Sequence, residues 1–283
     1  MITLIPVGGL ANRIRTIASA LTLAKQTGHE LRVVWFKDKG LNCRFDQLFC
    51  HPAETVPHVE VREATHMDLF RYDRPRRRNL RFPRLMQQFL FDECLYELQI
   101  PELMDKNFDF ELWARVWLPG GKHLYVASYS AFYPYQPEVL RNFFVPTEAI
   151  RRRADEVTSG FDGHTIGVHI RRTDNAQSIA LSPLSLFIGQ IEREIAADPS
   201  ANFYVASDSP EDKQALCQRF GDRIRTHRFS AERHRAEGIQ DALAEMLVLS
   251  ATKKIIGSCW SSFSEIAAGL TGIPCIILKK ETL

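Results

Sequence analysis

The sequence lacks any apolar run near the roughly 20 residues that a membrane-spanning helix requires. The apolar stretch Met1–Val7 has no basic segment before it and no cleavage site after it, so we expect a first strand rather than a signal peptide. The six cysteines form no C-x-x-C pair, which is typical of reduced, mostly buried thiols and favours a cytoplasmic protein. The formal net charge is only +2, so no general attraction to nucleic acid is expected.

The composition is that of a globular protein with well-buried cores. Hydrophobic residues make up 45% and charged residues 25% of the 283 residues, which argues against disorder of the whole chain. This length exceeds that of a usual single domain, and it favours two domains of similar size. The proline-containing stretch 133–146 interrupts the pattern of elements. We therefore predict domains at residues 1–145 and 146–283.

Apolar segments of strand and helix type alternate along most of the chain, which predicts an α/β protein with doubly wound parallel sheets. In the first half, the pattern predicts strands over residues 2–7, 30–36 and 124–128 and a helix over 10–27, with Gly28 as its C-cap. In the second half, it predicts strands over residues 166–170, 203–206, 224–227, 254–256 and 275–278 and helices over residues 184–197, 210–220, 240–250 and 262–270.

The segment Arg71–Arg84 carries seven arginines, interrupted by two prolines. One interpretation is an ordinary solvated loop. The other is an electropositive surface for an anionic acceptor, such as a phosphorylated lipid or an acidic glycan. The segment offers only Tyr72 and Phe82 for base stacking, so RNA is the less favoured partner.

Four polar segments follow predicted strands, where open α/β sheets bind their ligands. The first is Gly8-Gly9-Leu10-Ala11-Asn12-Arg13, which leads from the first strand into a helix. Glycines permit close backbone approach, and the N–H groups of a helix start favour an anion. Asn12 and Arg13 are expected to add polar donors at this helix start. A tight structural turn is the alternative, because the segment is neither G-x-G-x-x-G nor a Walker A loop.

The second polar segment is His169-Ile170-Arg171-Arg172-Thr173-Asp174. Side chains alternate along a strand, so His169 and Arg171 are expected on the opposite face from Ile170 and Arg172. Two arginines that leave a buried strand need anions, and a guanidinium matches the oxygens of a diphosphate. The alternatives are a structural ion-pair cluster, or one arginine that holds the loop by bonding Asp174.

The remaining segments are Ser207-Asp208-Ser209, and Asp241 together with Ser261-Ser262-Phe263-Ser264. Helix capping would explain Asp208 and its serines, and neither residue set is an Asp-x-Asp metal motif. Asp241 is predicted at a helix start, where it would be a cap or would accept hydrogen bonds from a base. The serines at 261–264 predict a second anion-binding helix start.

These segments, in this order, resemble the motifs of the GDP-fucose-dependent fucosyltransferase superfamily, which includes α1,6-, α1,2- and protein O-fucosyltransferases. The stretch His169–Asp174 looks like the first motif, Ala206–Ser209 like the second, and Asp241 with Ser261–Ser264 like the third. The segment Gly8–Arg13 is similar to the Gly-x-x-Asn turn of these enzymes. The three main motifs lie within residues 166–270, whereas residues 37–165 show no such resemblance.

The resemblance implies a GT-B fold with two facing Rossmann-like domains, an N-terminal acceptor-side domain and a C-terminal domain that binds the nucleotide sugar. It also implies inverting transfer of fucose from GDP-fucose to a glycan without a metal or other cofactor. Arg171 would stabilise the charge on the departing GDP, and Asp174 is the second implied catalytic residue. The residues implied in donor binding are Gly9, Asn12, His169, Arg172, Asp208, Asp241, Ser261 and Ser262.

Two departures from the α1,6 motif leave the acceptor side open. Asn175 stands where those enzymes have a basic residue, and Ile179 where they have a candidate base. Glu265, Asp46 and His51 are only weak candidates for a base. The alternatives are therefore a transferase for another GDP-sugar, such as GDP-mannose, and a catalytically silent nucleotide-sugar-binding protein. As partners we expect a GDP-sugar and a glycan or lipid-linked glycan but no nucleic acid, with location in the cytoplasm or at the inner face of the membrane.

Overall fold

The computed structural model describes residues 1–50, 58–72, 81–172, 176–229, 232 and 234–280. The chain divides into two units, each with its own sheet. The first unit comprises Met1–Thr147 and Glu232–Gln240, and the second comprises Glu148–Ala231 and Asp241–Leu283. None of the helices in the described ranges is long and apolar enough to cross a bilayer.

The first unit contains a five-stranded sheet of order β3-β2-β1-β5-β4, in which every neighbouring pair is parallel. The central strand β1 and its neighbour β5 are buried along their whole length, which explains their continuous apolar sequences. The strands are β1 (Ile2–Pro6), β2 (Leu31–Trp35), β3 (Val59–Glu63), β4 (Glu93–Leu95) and β5 (Leu124–Ser128).

The helices of the first unit begin with α1, which follows β1 after a three-residue turn. Its apolar residues recur at helical spacing and are buried, and Gly28 ends it in the left-handed conformation (φ 77°), as the sequence predicts. The helices are α1 (Leu10–Thr27), α2 (Asp68–Arg71), α3 (Arg81–Leu90), α4 (Ile100–Asp105), α5 (Phe110–Trp117) and α6 (Pro137–Phe143).

The second unit contains a parallel five-stranded sheet of order β10-β9-β6-β7-β8. One face of β6 and β7 packs in an apolar cluster with Phe187, Ile191 and Leu216 from the helices that follow these strands. The strands are β6 (Thr165–Ile170), β7 (Asn202–Ser207), β8 (Ile224–Arg225), β9 (Ile255–Ser258) and β10 (Cys275–Leu278). The helices are α7 (Glu148–Thr158), α8 (Ala176–Leu181), α9 (Leu184–Ala197), α10 (Pro210–Phe220), α11 (Ala236–Ser250) and α12 (Ser262–Thr271).

In both sheets the strand order reverses at the first strand of the unit. Successive strands are added on one side of β1 or β6, and the chain then returns to pair on the other side with β5 or β9. This is the topology of a doubly wound α/β sheet, and it confirms the predicted fold class. The reversal places a crevice at the carboxyl ends of the central strands.

Helix α11 differs from the prediction in its start. The sequence predicts a helix from residue 240, whereas α11 begins at Ala236. Gly238 therefore lies in its first turn instead of before it, and a Cβ at this position would overlap the backbone of Glu232. The prediction of Asp241 as a helix-start residue is wrong, and the capping interpretation fails with it, because Asp241 lies in the second turn.

Candidate functional site

The carboxyl end of β6 lies at the point of strand reversal in the second unit. His169, near this end, is in register with Ala206 of β7 on one side and with Gly257 of β9 on the other. The turns that follow these three strands are therefore neighbours. These turns carry three of the polar segments identified in the sequence, which begin near His169, Ser207 and Ser261. Asp241 lies on α11 instead.

Arg171 is the first residue after β6, and two neighbouring turns hold it. Its backbone N–H donates to Ser258 Oγ at 3.0 Å, and its Nη1 lies 3.5 Å from Asp208 Oδ2. The side chain keeps 19% of its surface exposed, while the Asp208 carboxylate is buried. Arg171 is thus a cation that is anchored at its backbone and paired with the Asp208 carboxylate, with part of its side chain open to solvent.

Arg172 projects from the opposite face of the strand, as the period of two predicts. Its Nε donates to Asp212 on α10, and its Nη1 donates to the Ser182 carbonyl at 2.8 Å. Its backbone N–H donates to Asp208 Oδ1 at 2.7 Å. Its buried Nη2 has no hydrogen-bond partner among the described residues. The side chains of Arg171 and Arg172 therefore lie in different surroundings. Asp208 contacts both residues, through the side chain of Arg171 and the backbone N–H of Arg172.

His169 is buried between β6 and α12. Its Nδ1 shares a hydrogen bond of 2.8 Å with Ser264 Oγ, and its ring stacks on that of Phe263 at 4.7 Å between centroids. Burial, together with the nearby charge of Arg171, lowers the pKa of His169 to about 3. The imidazole is therefore neutral near pH 7, and it ties the first turn of α12 to the central strand.

The turn from β9 into α12 is compact. Trp260 adopts a left-handed conformation (φ 58°), which is unusual for a bulky residue, and its side chain is exposed. Ser261 is the N-cap residue, but its side chain makes no capping hydrogen bond. Gly257 lies so close to α12 that a Cβ would stand 2.6 Å from Ser264 Cβ. Helix α12 therefore begins without a side-chain cap, shortly after Ser258, which accepts the hydrogen bond from the Arg171 N–H. The N–H groups of such a helix start are suited to bind an anion.

Asp241 and Glu245 lie one turn apart on α11. Arg153 Nη1 donates to Asp241 Oδ1 at 2.9 Å. Burial is the largest cause that raises the pKa of Glu245, and with the negative charges of Asp208 and Asp241 it brings that pKa to about 7, against the opposing charge of Lys213. Sequence reasoning missed Glu245, although a single carboxylate in the apolar stretch 242–249 was a signal for it.

In the first unit, the turn Gly8–Gly9 joins β1 to α1. Gly8 has φ 85°, and a Cβ there would lie 2.9 Å from Asn12 Nδ2. Gly9 is the N-cap of α1, and a Cβ there would meet nothing within 4 Å. A glycine is thus required at position 8, because the backbone has a positive φ and a Cβ would clash with the Asn12 side chain. At Gly9 the space around the helix start is open.

Arg13 does not add a donor to this helix start, contrary to the expectation from its position. It is fully buried: Nε donates to the Gly8 carbonyl at 2.9 Å, Nη1 donates to the Phe36 carbonyl, and Nη2 forms an ion pair with Asp38 at 2.9 Å. Its guanidinium also lies over the Trp35 ring, 4.8 Å from the centroid. Arg13 therefore fastens the glycine turn to the end of β2.

The other sequence candidates have plain positions. Asp46 is exposed and pairs with Arg44, and Glu265 is exposed in the first turn of α12. Asp174 and His51 lie outside the described residues. In the part of the chain that the structure describes, no group of three or more histidine, cysteine or carboxylate side chains is arranged to hold a metal ion.

No protein-family model matches the chain, and no curated protein matches its sequence. Solved structures do match. Fucosyltransferase NodZ from Bradyrhizobium aligns with 94% of this chain and 92% of its own length, with a TM-score of 0.62 and 20% identity. A mutant of Arabidopsis thaliana FUT1 in complex with GDP aligns with 99% of this chain and 71% of its own length (TM-score 0.65, 20% identity).

POFUT1 in complex with GDP-fucose is also similar. It aligns with 98% of this chain and 97% of its own length, with a TM-score of 0.54 and 14% identity. At such identities a structural match establishes the fold. The chain therefore has the α/β fold of the GT-B fucosyltransferases, with two doubly wound parallel sheets.

Proposed function

We propose that this protein is a glycosyltransferase that transfers fucose from GDP-fucose to a glycan acceptor. Its fold is shared with fucosyltransferases, some of them crystallised with GDP or GDP-fucose. The observation that carries the proposal is Arg171, a partly exposed cation that is anchored at the strand reversal of the second unit. Ligands of open α/β sheets bind at this position.

Transfer breaks the bond between the anomeric carbon of fucose and the β-phosphate oxygen. The acceptor hydroxyl attacks this carbon from the opposite side, its proton passes to a base, and the bonding electrons leave with GDP. We propose that Arg171 stabilises the charge that develops on the β-phosphate. Its electrostatic contribution is large because its partner Asp208 and anchor Ser258 orient it before the reaction.

The start of α12 is proposed to hold the phosphates through its N–H groups, with Ser261 and Ser262 at its mouth. In this assignment His169 supports that helix start from beneath, and Arg172 secures the strand end through Asp212. A guanidinium and a helix start supply positive charge to a diphosphate, so the proposal includes no metal.

Three further residues complete the proposed donor site. Asp241, a half-buried carboxylate that also pairs with Arg153, accepts hydrogen bonds from the N–H groups of guanine, which helps to select GDP over a nucleotide whose base lacks these donors. Gly9 and Asn12, at the start of α1 in the first unit, remain proposed donor-binding residues on the strength of their motif. Asp174 remains a proposed catalytic residue on the strength of its place in the first motif.

The acceptor is proposed to be a glycan or a lipid-linked glycan, and the protein to act in the cytoplasm. All six cysteines are free thiols, and burial is the main cause that raises the pKa of Cys43 to about 12 and of Cys275 to about 11. Only Cys43 and Cys259 are buried and Cys50 is exposed, so the expectation of mostly buried thiols is wrong. Free thiols suit a reducing compartment.

The test is a comparison of Arg171→Ala and Arg171→Lys with Arg152→Ala, an exposed arginine on α7. GDP release from GDP-fucose is measured with a panel of glycan acceptors, and circular dichroism confirms the fold of each variant. Loss of Arg171 is expected to lower turnover roughly 100-fold or more. Lysine restores only part of it because it lacks the planar fork. Near-normal turnover of Arg171→Ala would overturn the assignment.

A nucleotide-sugar-binding protein without turnover is the second candidate. It is favoured by one observation. Ile179, which is partly exposed on α8, has an apolar side chain at the position where the α1,6 motif carries an acidic residue that could serve as the base. A thermal-shift panel of GDP, GDP-fucose, GDP-mannose and UDP separates the possibilities. Stabilisation by GDP compounds without GDP release over the acceptor panel would favour the silent protein, and preference for GDP-mannose would favour another donor.

A further inference from the structure

Helix α3 presents an apolar face to solvent. Phe82, Leu85 and Phe89 recur at helical spacing and keep 49%, 51% and 79% of their surface exposed. The opposite side of the helix is the buried one, and it carries Gln87, whose Nε2 donates to the Arg71 carbonyl at 2.9 Å. The helix is thus amphipathic with its apolar side outward, the reverse of a helix that packs on a core.

The neighbouring helix α2 enlarges this surface. It packs against α3 and exposes more than half of the side chains of Met67 and Phe70. We call the five residues Met67, Phe70, Phe82, Leu85 and Phe89 the α2–α3 surface. Single exposed apolar side chains are common, but several of them on adjoining short helices mark a surface that binds a partner.

Two exposed arginines lie on the same helices as the apolar residues: Arg71 is the last residue of α2 and Arg84 lies on α3. The sequence from Arg71 to Arg84 contains seven arginines and a single acid, Asp73. Arg84, on α3 itself, is exposed and its guanidinium lies 5.0 Å from the centroid of the Tyr96 ring. A partner of the α2–α3 surface must therefore offer both an apolar interior and negative charge.

We propose that the α2–α3 surface binds the interface of an anionic lipid bilayer. A short helix with phenylalanine and leucine on one side and arginine beside them lies in the plane of a membrane interface. Anionic head groups attract the arginines, while the acyl boundary accepts the apolar side chains. A second copy of the chain fits poorly, because a twofold contact through the same surface would bring the exposed Arg71 and Arg84 of one copy toward those of the other.

This inference deepens the proposed function, because a lipid-linked acceptor would be met at such a surface. The binding itself requires no sugar nucleotide, so it is tested without one. Co-sedimentation is measured with vesicles of phosphatidylcholine alone and of phosphatidylcholine mixed with phosphatidylglycerol. The wild type is compared with the double variant Leu85→Ser/Phe89→Ser. The matched control is Leu112→Ser/Val116→Ser on α5, whose side chains are 58% and 64% exposed.

The wild type and the control are expected to bind the anionic vesicles, and the Leu85/Phe89 variant to bind roughly tenfold or more weakly. Binding is expected to fall with added salt and to be weaker on phosphatidylcholine alone. No binding by the wild type, or equal binding by all three proteins, would overturn the inference. So would a wild-type dimer, seen by analytical ultracentrifugation, that the Leu85/Phe89 substitutions dissociate. Thermal shift with GDP is expected to be the same for all three proteins, so failure of donor binding is read separately.

Discussion

His169 Nδ1 and Ser264 Oγ lie 2.8 Å apart, and this hydrogen bond joins the central strand of the second sheet to the first turn of α12. The two residues are 95 positions apart in the sequence. Both are buried, and the ring stacks on Phe263, the residue before Ser264. The helix start proposed to hold phosphate is thereby fixed to the strand that ends in Arg171.

Ser264→Ala is expected to destabilise the protein by about 1–3 kcal/mol, because it leaves a buried ring nitrogen without its partner. The loss of this tie should also weaken GDP binding, since the proposed phosphate site begins at the same turn. Thermal unfolding and GDP titration measure the two effects. Ser185→Ala, an exposed position on α9, serves as the control and should change neither. A Ser264→Ala protein with unchanged stability would show that the bond contributes little.

The parts of the site that could be predicted from sequence are those set by strand periodicity. The strand β6 is buried on both faces and mostly apolar, and the period of two correctly separates Arg171 from Arg172. The partner of each arginine could not be predicted, because Asp208 lies at the end of a neighbouring strand and Asp212 lies on the helix that follows it. Arg13 illustrates the same limit: its position at a helix start suggests a ligand donor, yet carbonyls and Asp38 bury it.

The edge strands of the first sheet and one helix boundary were also beyond the sequence pattern. The strand β3 reads Val-Glu-Val-Arg-Glu and is only partly buried, and β4 has three residues, so neither has the long apolar run of a central strand. Gly238 suggested a break before a helix, whereas the structure uses the absence of its Cβ inside α11 for close approach of Glu232. Contacts between distant segments decide such positions.

Gly8 and Gly9 should respond differently to the same substitution. Gly8→Ala places a Cβ 2.9 Å from Asn12 Nδ2 at φ 85°, so we expect a cost of about 1–3 kcal/mol and a displaced Asn12. Gly9→Ala has open space and φ −73°, so its stability should be nearly unchanged. If Gly9 admits a ligand to the start of α1, Gly9→Ala will still weaken binding of GDP-fucose. Thermal unfolding and titration with GDP-fucose test both, and unaltered binding by the Gly9 variant would remove Gly9 from the donor site.

Glu245 makes the stability of the second unit depend on pH near neutrality. Burial raises its pKa from an ordinary 4.5 to about 7, so the folded protein holds a proton that the unfolded chain releases between these values. The contribution of Glu245 to the free energy of unfolding is therefore fully present below about pH 4.5 and is lost as the pH rises to about 7. His169 acts in the opposite direction, because its lowered pKa makes the folded protein less stable as the pH falls below 6.5.

Comparing the wild type with Glu245→Gln isolates the contribution of Glu245, since the His169 effect is common to both proteins. The glutamine has nearly the same shape and stays neutral at every pH, so the variant should not share this loss of stability between about pH 5 and pH 8. After allowance for partial exposure, the difference is expected to be on the order of 1–2 kcal/mol, or a few degrees in Tm. Thermal unfolding of both proteins across this range measures it. If the two profiles run parallel, Glu245 is already ionised in the folded protein, and the negative charge beside Asp208 and Asp241 is present throughout the pH range in which the enzyme is proposed to act.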